Sequence, residues 1–427
     1  MSETLNQISA TEAAARIAAG KLKSEALVAA CLERIGQRER EVQAWAYYDA
    51  ELALAQACAR DKEAPRTRLH GIPVGVKDVF DTAELPTGYG SPIYRGHRPA
   101  ADAACVAQVR ERRGVILGKT VTTEFATRHP GKTRNPHNLE HTPGGSSQGS
   151  AAAVADGMVP IAFGTQTTSS VIRPAAFCGV VGYKPSFGLV NRGGLKILSE
   201  SLDHVGTLTR TVPDAALIVE ELSGAPATSF EAVSQLKPRI GFCRTPYWSQ
   251  ADRPTQEALQ DAVPRLARGG ARVTDVQLDG DFGRLVEVQV TISTYEMFRA
   301  LAHERVHHPD LISESLMGRL LGGGRVTRAE YEEAQALARR CRARLDDIFR
   351  DYDVLLAPSA KGEAPAGLES TGDPVFGSSW TVLHGPAVTV PAFHGPSDLP
   401  LGAQLAGPRG SDSKTLLAAE WVYRALS

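Results

Sequence analysis

Between Pro143 and Gly194 the chain is dominated by Gly, Ser, Thr and Ala, broken only by short apolar runs such as Val180-Val181. No other stretch restricts the fold so tightly. A flexible linker shares this bias towards small polar residues. A linker would not, however, contain Ala151-Ala152-Ala153-Val154-Ala155 or Phe177-Cys178-Gly179-Val180-Val181. Small side chains at this density mean backbones packed closely together, or a backbone that a ligand must approach. The block is therefore expected inside a fold, next to chemistry.

The flanking segments supply the layers. The first sixty residues place apolar side chains at helical spacing, as in Ala26-Leu27-Val28 with Cys31-Leu32 and Ile35, and predict two or three amphipathic helices. Gly71-Ile72-Pro73-Val74-Gly75-Val76 predicts a buried strand ending at Lys77-Asp78, and Val115-Ile116-Leu117 another after a helix over Cys105 to Arg113. After Asp214 the alternation continues: strands at Arg239-Phe242 and Ala271-Val273, a helix from Gln256 to Arg268, a long helix from Ala329 to Phe349, and an apolar strand at Val354-Pro358. Helices alternating with apolar strands predict an α/β class with a largely buried sheet. The 427 residues suffice for one large domain or two ordinary ones.

Charge and cysteine usage narrow the function classes. Basic and acidic residues nearly cancel, 47 against 48, so nothing predicts a nucleic-acid partner. The six cysteines, Cys31, Cys58, Cys105, Cys178, Cys243 and Cys341, include no C-x-x-C pair, which predicts neither a zinc ribbon nor a disulfide framework and fits a reducing compartment. Met1 to Ala19 lacks the basic-then-apolar order of a secretory signal, and no run of about 18 apolar residues predicts a spanning helix. A cytoplasmic protein with no membrane partner is the expectation.

Two motifs are decoys. Gly114-Val115-Ile116-Leu117-Gly118-Lys119-Thr120 resembles a phosphate-binding loop but has three residues between its glycines instead of four, all of them strand formers. His303-Glu304-Arg305-Val306-His307 fits H-E-x-x-H, which on a helix can chelate zinc. His308-Pro309-Asp310 follows at once, and no third ligand stands at a recognised spacing, so a polar helix end is expected there, with no metal. A zinc peptidase using His303, Glu304 and His307 is retained as the remote rival.

Three segments carry hydroxyls, an amine and close-packed backbone together: Lys77 after its strand, Gly144-Gly145-Ser146-Ser147-Gln148-Gly149-Ser150, and Gly164-Thr165-Gln166-Thr167-Thr168-Ser169-Ser170-Val171-Ile172-Arg173-Pro174. Cleaving a poor electrophile such as an amide needs a nucleophile, a base and donors for the oxyanion. Serine attacks if a neighbour takes its proton, and lysine takes it only when burial keeps the amine neutral.

On these segments the chain closely resembles the amidase signature family. The family's G-G-S-S-[GS]-G-S-A-A-A-V-A, G-T-[DQ]-T-G-G-S and P-A-A-x-C-G-x-x-G-x-K-P fall on residues Gly144 onward, Gly164 to Ser170, and Pro174 to Pro185. Its G-I-P-x-x-V-K-D falls on Gly71 to Asp78, its S-x-D-x-x-G on Ser201 to Gly206, and the resemblance continues to Gly385-Pro391 and Leu399-Gln404. It implies a single amidase domain over 1–427 with a mixed, mostly parallel central sheet covered by helices on both faces. Within it, about 1–60 is a helical segment, about 65–215 the signature core, and about 216–427 an α/β part completing the pocket. It also implies a Ser-cisSer-Lys triad without cofactor: Ser170 as nucleophile, Ser146 as bridging serine on a cis peptide, and Lys77 as base. Backbone N–H groups of Thr167, Thr168, Ser169 and Ser170 would form the oxyanion hole, with Ser147 and Gln166 in support.

The departures matter as much as the matches. Thr168-Ser169 stand where the family has Gly-Gly, so either the loop accepts side chains or the hole is altered, and Ser169 becomes a second candidate nucleophile. Thr122-Thr123-Glu124-Phe125 lacks the Asp of the N-M-D-E-F-like run of tRNA-dependent amidotransferase subunits. The function expected is hydrolysis of a small aliphatic or aryl amide, with Phe125, Trp380 and His384 near the pocket. A homodimer is left open. The rival readings are the glutaminase subunit of such an amidotransferase and a binding protein with a degenerate site.

Overall fold

The short apolar runs fold as the rungs of a single sheet. The structure, a computed structural model, describes residues 4–427. Its strands are β1 (Trp45–Tyr48), β2 (Pro73–Lys77), β3 (Val115–Thr120), β4 (Ile161–Gln166), β5 (Val181–Lys184), β6 (His204–Thr209), β7 (Arg239–Cys243), β8 (Arg272–Val276), β9 (Val354–Pro358), β10 (Ala387–His394) and β11 (Pro400–Ala406). They pair in the order β1-β3-β2-β4-β6-β5-β10-β11-β9-β7-β8. The expected helices lie at Ala104–Glu111, Arg253–Arg268 and Arg328–Ile348. β3 occupies the phosphate-loop look-alike.

The sheet is mixed, but the expectation of a mostly parallel one fails. Only β2–β3, β2–β4, β7–β8 and β7–β9 run parallel. The centre, from β4 to β9, is antiparallel throughout, and so is the β1 edge. β10 and β11 form a hairpin closed by Gly395 N–H to Leu399 O at 2.9 Å, a connection that needs no crossover helix. A strand buried on both faces reads as an apolar run in either direction, so the sequence pattern does not distinguish them. The first sixty residues also hold a strand that their helical pattern hides: β1, anchored by the buried Trp45.

Helices cover both faces. Along β4, Ile161 and Phe163 belong to one apolar cluster with Val74 and Leu217, whereas Ala162 between them joins another with Val28, Trp45 and Ala152. Alternate side chains of one strand thus enter two separate cores. The small-residue block explains itself in this packing. A Cβ on Gly149 would lie 2.2 Å from Ala44 O and 2.4 Å from Val121 N, so the helix Gln148–Ala155 sits directly on neighbouring backbone. All six cysteines are free, and no described helix is long and apolar enough to cross a membrane.

Candidate active site

β2 and β4 are parallel neighbours, so the residues at their carboxyl ends emerge on the same side of the sheet. Lys77 is the last residue of β2, a strand buried at every position. Its amine end is buried, and among the described residues its hydrogen-bond partners are all hydroxyls: Ser146 Oγ at 2.7 Å, Ser147 Oγ at 3.0 Å and Thr165 Oγ1 at 2.7 Å. Burial holds the Lys77 amine well below its ordinary value, and the charge of Asp203 only partly opposes this. Ser146 and Ser147 come from the turn that leads into the helix Gln148–Ala155, and the Gly145-Ser146 peptide is cis. Gly144 turns the chain into this segment with φ +82°, its α-carbon pressed so near Pro174 that a Cβ would meet Pro174 Cα at 2.8 Å.

The loop after β4 is pinned from several sides. Gln166 Oε1 accepts from the N–H groups of Val171 (2.9 Å) and Ile172 (3.1 Å), and its amide donates to Thr381 Oγ1 at 3.0 Å. Thr381 in turn donates to Thr168 O at 2.7 Å, and Thr167 Oγ1 to Asp203 Oδ1 at 2.5 Å. Gln289 Nε2 donates to both Thr167 O (3.0 Å) and Thr168 Oγ1 (2.9 Å). Neither Thr168 nor Ser169 has positive φ, so the loop accepts the side chains that replace the family's glycines. Among the described residues, no protein acceptor takes the N–H of Thr167, Thr168, Ser169 or Ser170. Four successive donors are unclaimed.

The two adjacent serines differ in what they face. Ser170, with Thr167 and Thr168, borders a cavity of about 130 Å³. Ser169 is turned into the protein against Gly377 of the helix Val375–Val382, where a Cβ would come within 2.1 Å of its Oγ. Among the described residues no hydrogen bond joins Ser170 Oγ to Ser146, so the hydroxyl is open to the cavity. Arg173 lies beneath. It is buried, and its guanidinium donates to Gly145 O (2.7 Å), Gly372 O (2.8 Å) and Thr371 Oγ1 (3.1 Å), bracing the segment that carries Ser146.

Comparison with known proteins bears on the chain as a whole. Residues 26–416 match the Amidase family. The chain belongs to that family.

Among its relatives, a glutamyl-tRNA(Gln) amidotransferase subunit of Anaeromyxobacter sp. (strain K) is 33% identical over 96% of this chain and 94% of its own. A crystal structure of an amidase superposes with a TM-score of 0.88 at 29% identity, over 98% of this chain and 100% of the other. The peptide amidase of Stenotrophomonas maltophilia does so with a TM-score of 0.83 at 29% identity, over 98% and 97%. This amidase-family chain is thus a hydrolase acting on amide C–N bonds.

The pocket residues expected from the sequence do not border the cavity that Ser170 faces. Phe125 is fully buried and packs edge-on against Tyr94 at 6.1 Å, and its neighbours Ala126, Thr127 and Arg128 reach the cavity instead. Trp380 is buried in the apolar core behind the Val375–Val382 helix, while Ser378 of that helix lines the cavity. His384 stacks on Phe187 at 4.2 Å and lines a different cleft of about 730 Å³; burial and nearby Arg342 push its imidazole down to about 3. Thr165, Gln289 and Arg319 are the site residues that sequence reasoning missed. Only Thr165 stood inside a motif.

His303, Glu304 and His307 lie on the short helix Ala302–His307, which stops where the sequence expected. Glu304 is buried and accepts from Tyr94 Oη at 2.6 Å while pairing with Lys196. Its carboxylate ties this helix to the Tyr94 and Lys196 segments. Among the described residues no three His, Cys, Asp or Glu side chains gather as a metal-ligand group.

Proposed function

We propose that the chain hydrolyses a carboxamide through an acyl-enzyme on Ser170, with Lys77 as base acting through Ser146. The supporting observation is a buried amine held below its ordinary value and set 2.7 Å from Ser146 Oγ, with hydroxyls as its hydrogen-bond partners among the described residues. A neutral amine has two N–H donors and one lone pair. Ser147 Oγ already receives Thr165 N–H at 3.2 Å and reaches Thr165 O at 3.4 Å, which suits it to accept from Lys77. The Ser146 hydroxyl is then free to donate into the lone pair.

On attack, Ser170 Oγ bonds to the carbonyl carbon while its proton passes to Ser146 Oγ and that of Ser146 to Lys77. The carbonyl oxygen takes up negative charge, for which the unclaimed N–H groups of Thr167 to Ser170 are candidate donors. Collapse breaks the C–N bond, and the proton held by Lys77 returns through Ser146 to the leaving nitrogen. Water then repeats the sequence on the acyl-enzyme. A fluorophosphonate tests the assignment: it should label Ser170 in the unmodified chain and label poorly after Lys77→Ala. Labelling at Ser169, or undiminished labelling without Lys77, would contradict it.

A second reading has support in the relatives, several of which are glutamyl-tRNA(Gln) amidotransferase subunits at 31–33% identity. Under that reading glutamine is the best substrate and the isolated chain turns over simple amides poorly. Steady hydrolysis of propionamide or benzamide by the purified chain separates the two.

A further inference from the structure

The cavity that Ser170 faces has two unlike sides. On one, Arg128 and the segment from Thr371 to Pro374 also border an outer recess of about 560 Å³, so the cavity opens there. The segment that carries Ser146 belongs to this side. Arg173 donates both to Gly145 O at 2.7 Å and to Thr371 Oγ1 at 3.1 Å, and a Cβ on Gly145 would lie 2.6 Å from Thr371 Cγ2. On the other side the helix Leu285–Ala300 presents Val286, Gln289, Val290, Ser293 and Met297, spaced three or four residues apart on one face, and Thr168 bonds to it. None of these six borders the recess.

Thr168 stands where the family pattern has glycine, and it cannot swing aside. Its Oγ1 accepts from Gln289 Nε2 at 2.9 Å, and the same nitrogen donates to Thr167 O at 3.0 Å. A backbone carbonyl only accepts, so the Gln289 amide is fixed with its nitrogen towards Thr168. Gln289 is itself buried. From the opposite direction Thr381 Oγ1 donates to Thr168 O at 2.7 Å. With its hydroxyl tied and its backbone pinned, Thr168 keeps one rotamer, and its methyl group keeps one place. The space it borders is small, about 130 Å³. An enclosed cavity of about 150 Å³ holds benzene. Butyramide, with as many non-hydrogen atoms as benzene, is close to the limit.

We infer that Thr168 is a specificity-determining residue: a fixed wedge that limits the acyl chain to about four carbons, while the amine side stays open to larger groups. This rests on the reading of Ser170 as the nucleophile. Under that reading the leaving nitrogen takes its proton from Ser146, so it lies towards Thr371 and the recess. The acyl chain is then directed the other way, against Thr168 and the helix Leu285–Ala300. Amides of short acids with bulky amines are the substrate class that fits both sides.

Turnover of propionamide, butyramide and hexanamide by the purified full chain reads the limit. From butyramide to hexanamide kcat/KM should fall at least about tenfold, the size of effect that one misfitting methylene can have. Thr168→Gly should raise the hexanamide-to-propionamide ratio by about tenfold or more. Thr168→Ser, which sheds the methyl and keeps the hydroxyl for Gln289, should give part of that gain. Thr168→Val keeps the bulk without the hydroxyl and should keep the ratio of the unmodified chain. A ratio unmoved by Gly, or raised as much by Val as by Gly, would overturn the wedge, the second by showing a loosened loop instead. Benzamide carries its ring on the acyl side and acetanilide on the amine side. Thr168→Gly should raise the benzamide-to-acetanilide ratio, and an unchanged ratio would overturn the assignment of sides. If the Thr168-dependent limit held while a fluorophosphonate labelled a residue other than Ser170, the nucleophile reading would fall and the wedge would stand. Labelling at Ser170 with a limit indifferent to Thr168 would do the reverse.

Discussion

Two lysines are buried side by side at the ends of parallel strands, and only one is suited to act as a base. Lys77 closes β2, and Lys119 stands on β3 opposite Val76. Neither has any exposure. Lys119 has a carboxylate, Asp78, at 3.1 Å, together with Phe80 O at 2.8 Å and Thr87 Oγ1 at 2.6 Å. Lys77 has three hydroxyls and no carboxylate in contact. Burial lowers both amines, but at Lys119 the attraction of Asp78 works against it. Without a touching anion, burial favours the neutral amine that a base requires; with one, the charged form is favoured.

The largest test of that contrast is to remove each amine. Lys77→Ala is expected to lower amide turnover by on the order of 10²–10⁴-fold, the range for a lost general base. Lys119→Met should leave turnover per folded molecule within a few-fold. Its effect should fall on stability instead, because Asp78 stays behind as a buried unpaired carboxylate, a loss of about 3 kcal/mol. Thermal unfolding should show this drop, and adding Asp78→Asn should recover part of it. If Lys119→Met abolished turnover in folded protein, the two lysines would not differ as described.

Next in size is Thr165→Val, which takes away one acceptor from Lys77 and none from Lys119. A fall in kcat of about tenfold with little change in KM is expected, since a single neutral hydrogen bond is at stake. The pH dependence sharpens the contrast further. Turnover should rise with pH as Lys77 loses its proton, with a midpoint well below the ordinary lysine value of 10.5. For stability, the unfolded chain keeps a proton on Lys77 that the folded chain has released. Stability should therefore increase with pH between the lowered folded value and 10.5, and Lys77→Met should flatten that interval in unfolding curves. The smallest change is expected from replacing Thr168 and Ser169 together by glycine. Both already have ordinary φ, so turnover of a simple amide should shift by less than about tenfold. A gain of orders of magnitude would mean that their side chains obstruct the site.

Much of the proposed site was legible along the chain. Lys77, Ser146, Ser147, Gln166 and Ser170 stand in motifs because short-range backbone geometry places them: the end of a strand, the entry to a helix, a tight loop after β4. The pocket was not legible. Phe125, Trp380 and His384 were expected to line it, and each is occupied elsewhere, in an aromatic contact, in the core and in a ring stack. Gln289 reaches Thr168 across 121 residues of chain, and Ser313 reaches Glu124 across 189. Nothing in local spacing encodes such contacts.

The chain's own pattern determined the α/β class, the close-packed block and the residues that could supply a nucleophile and a base. These follow from periodicity, side-chain size and functional group, which are properties of neighbours along the backbone. The strand directions and the hydroxyl-lined setting of Lys77 were decided by tertiary structure. They depend on which distant segments come to share a boundary, and so on packing free energy summed over the whole molecule.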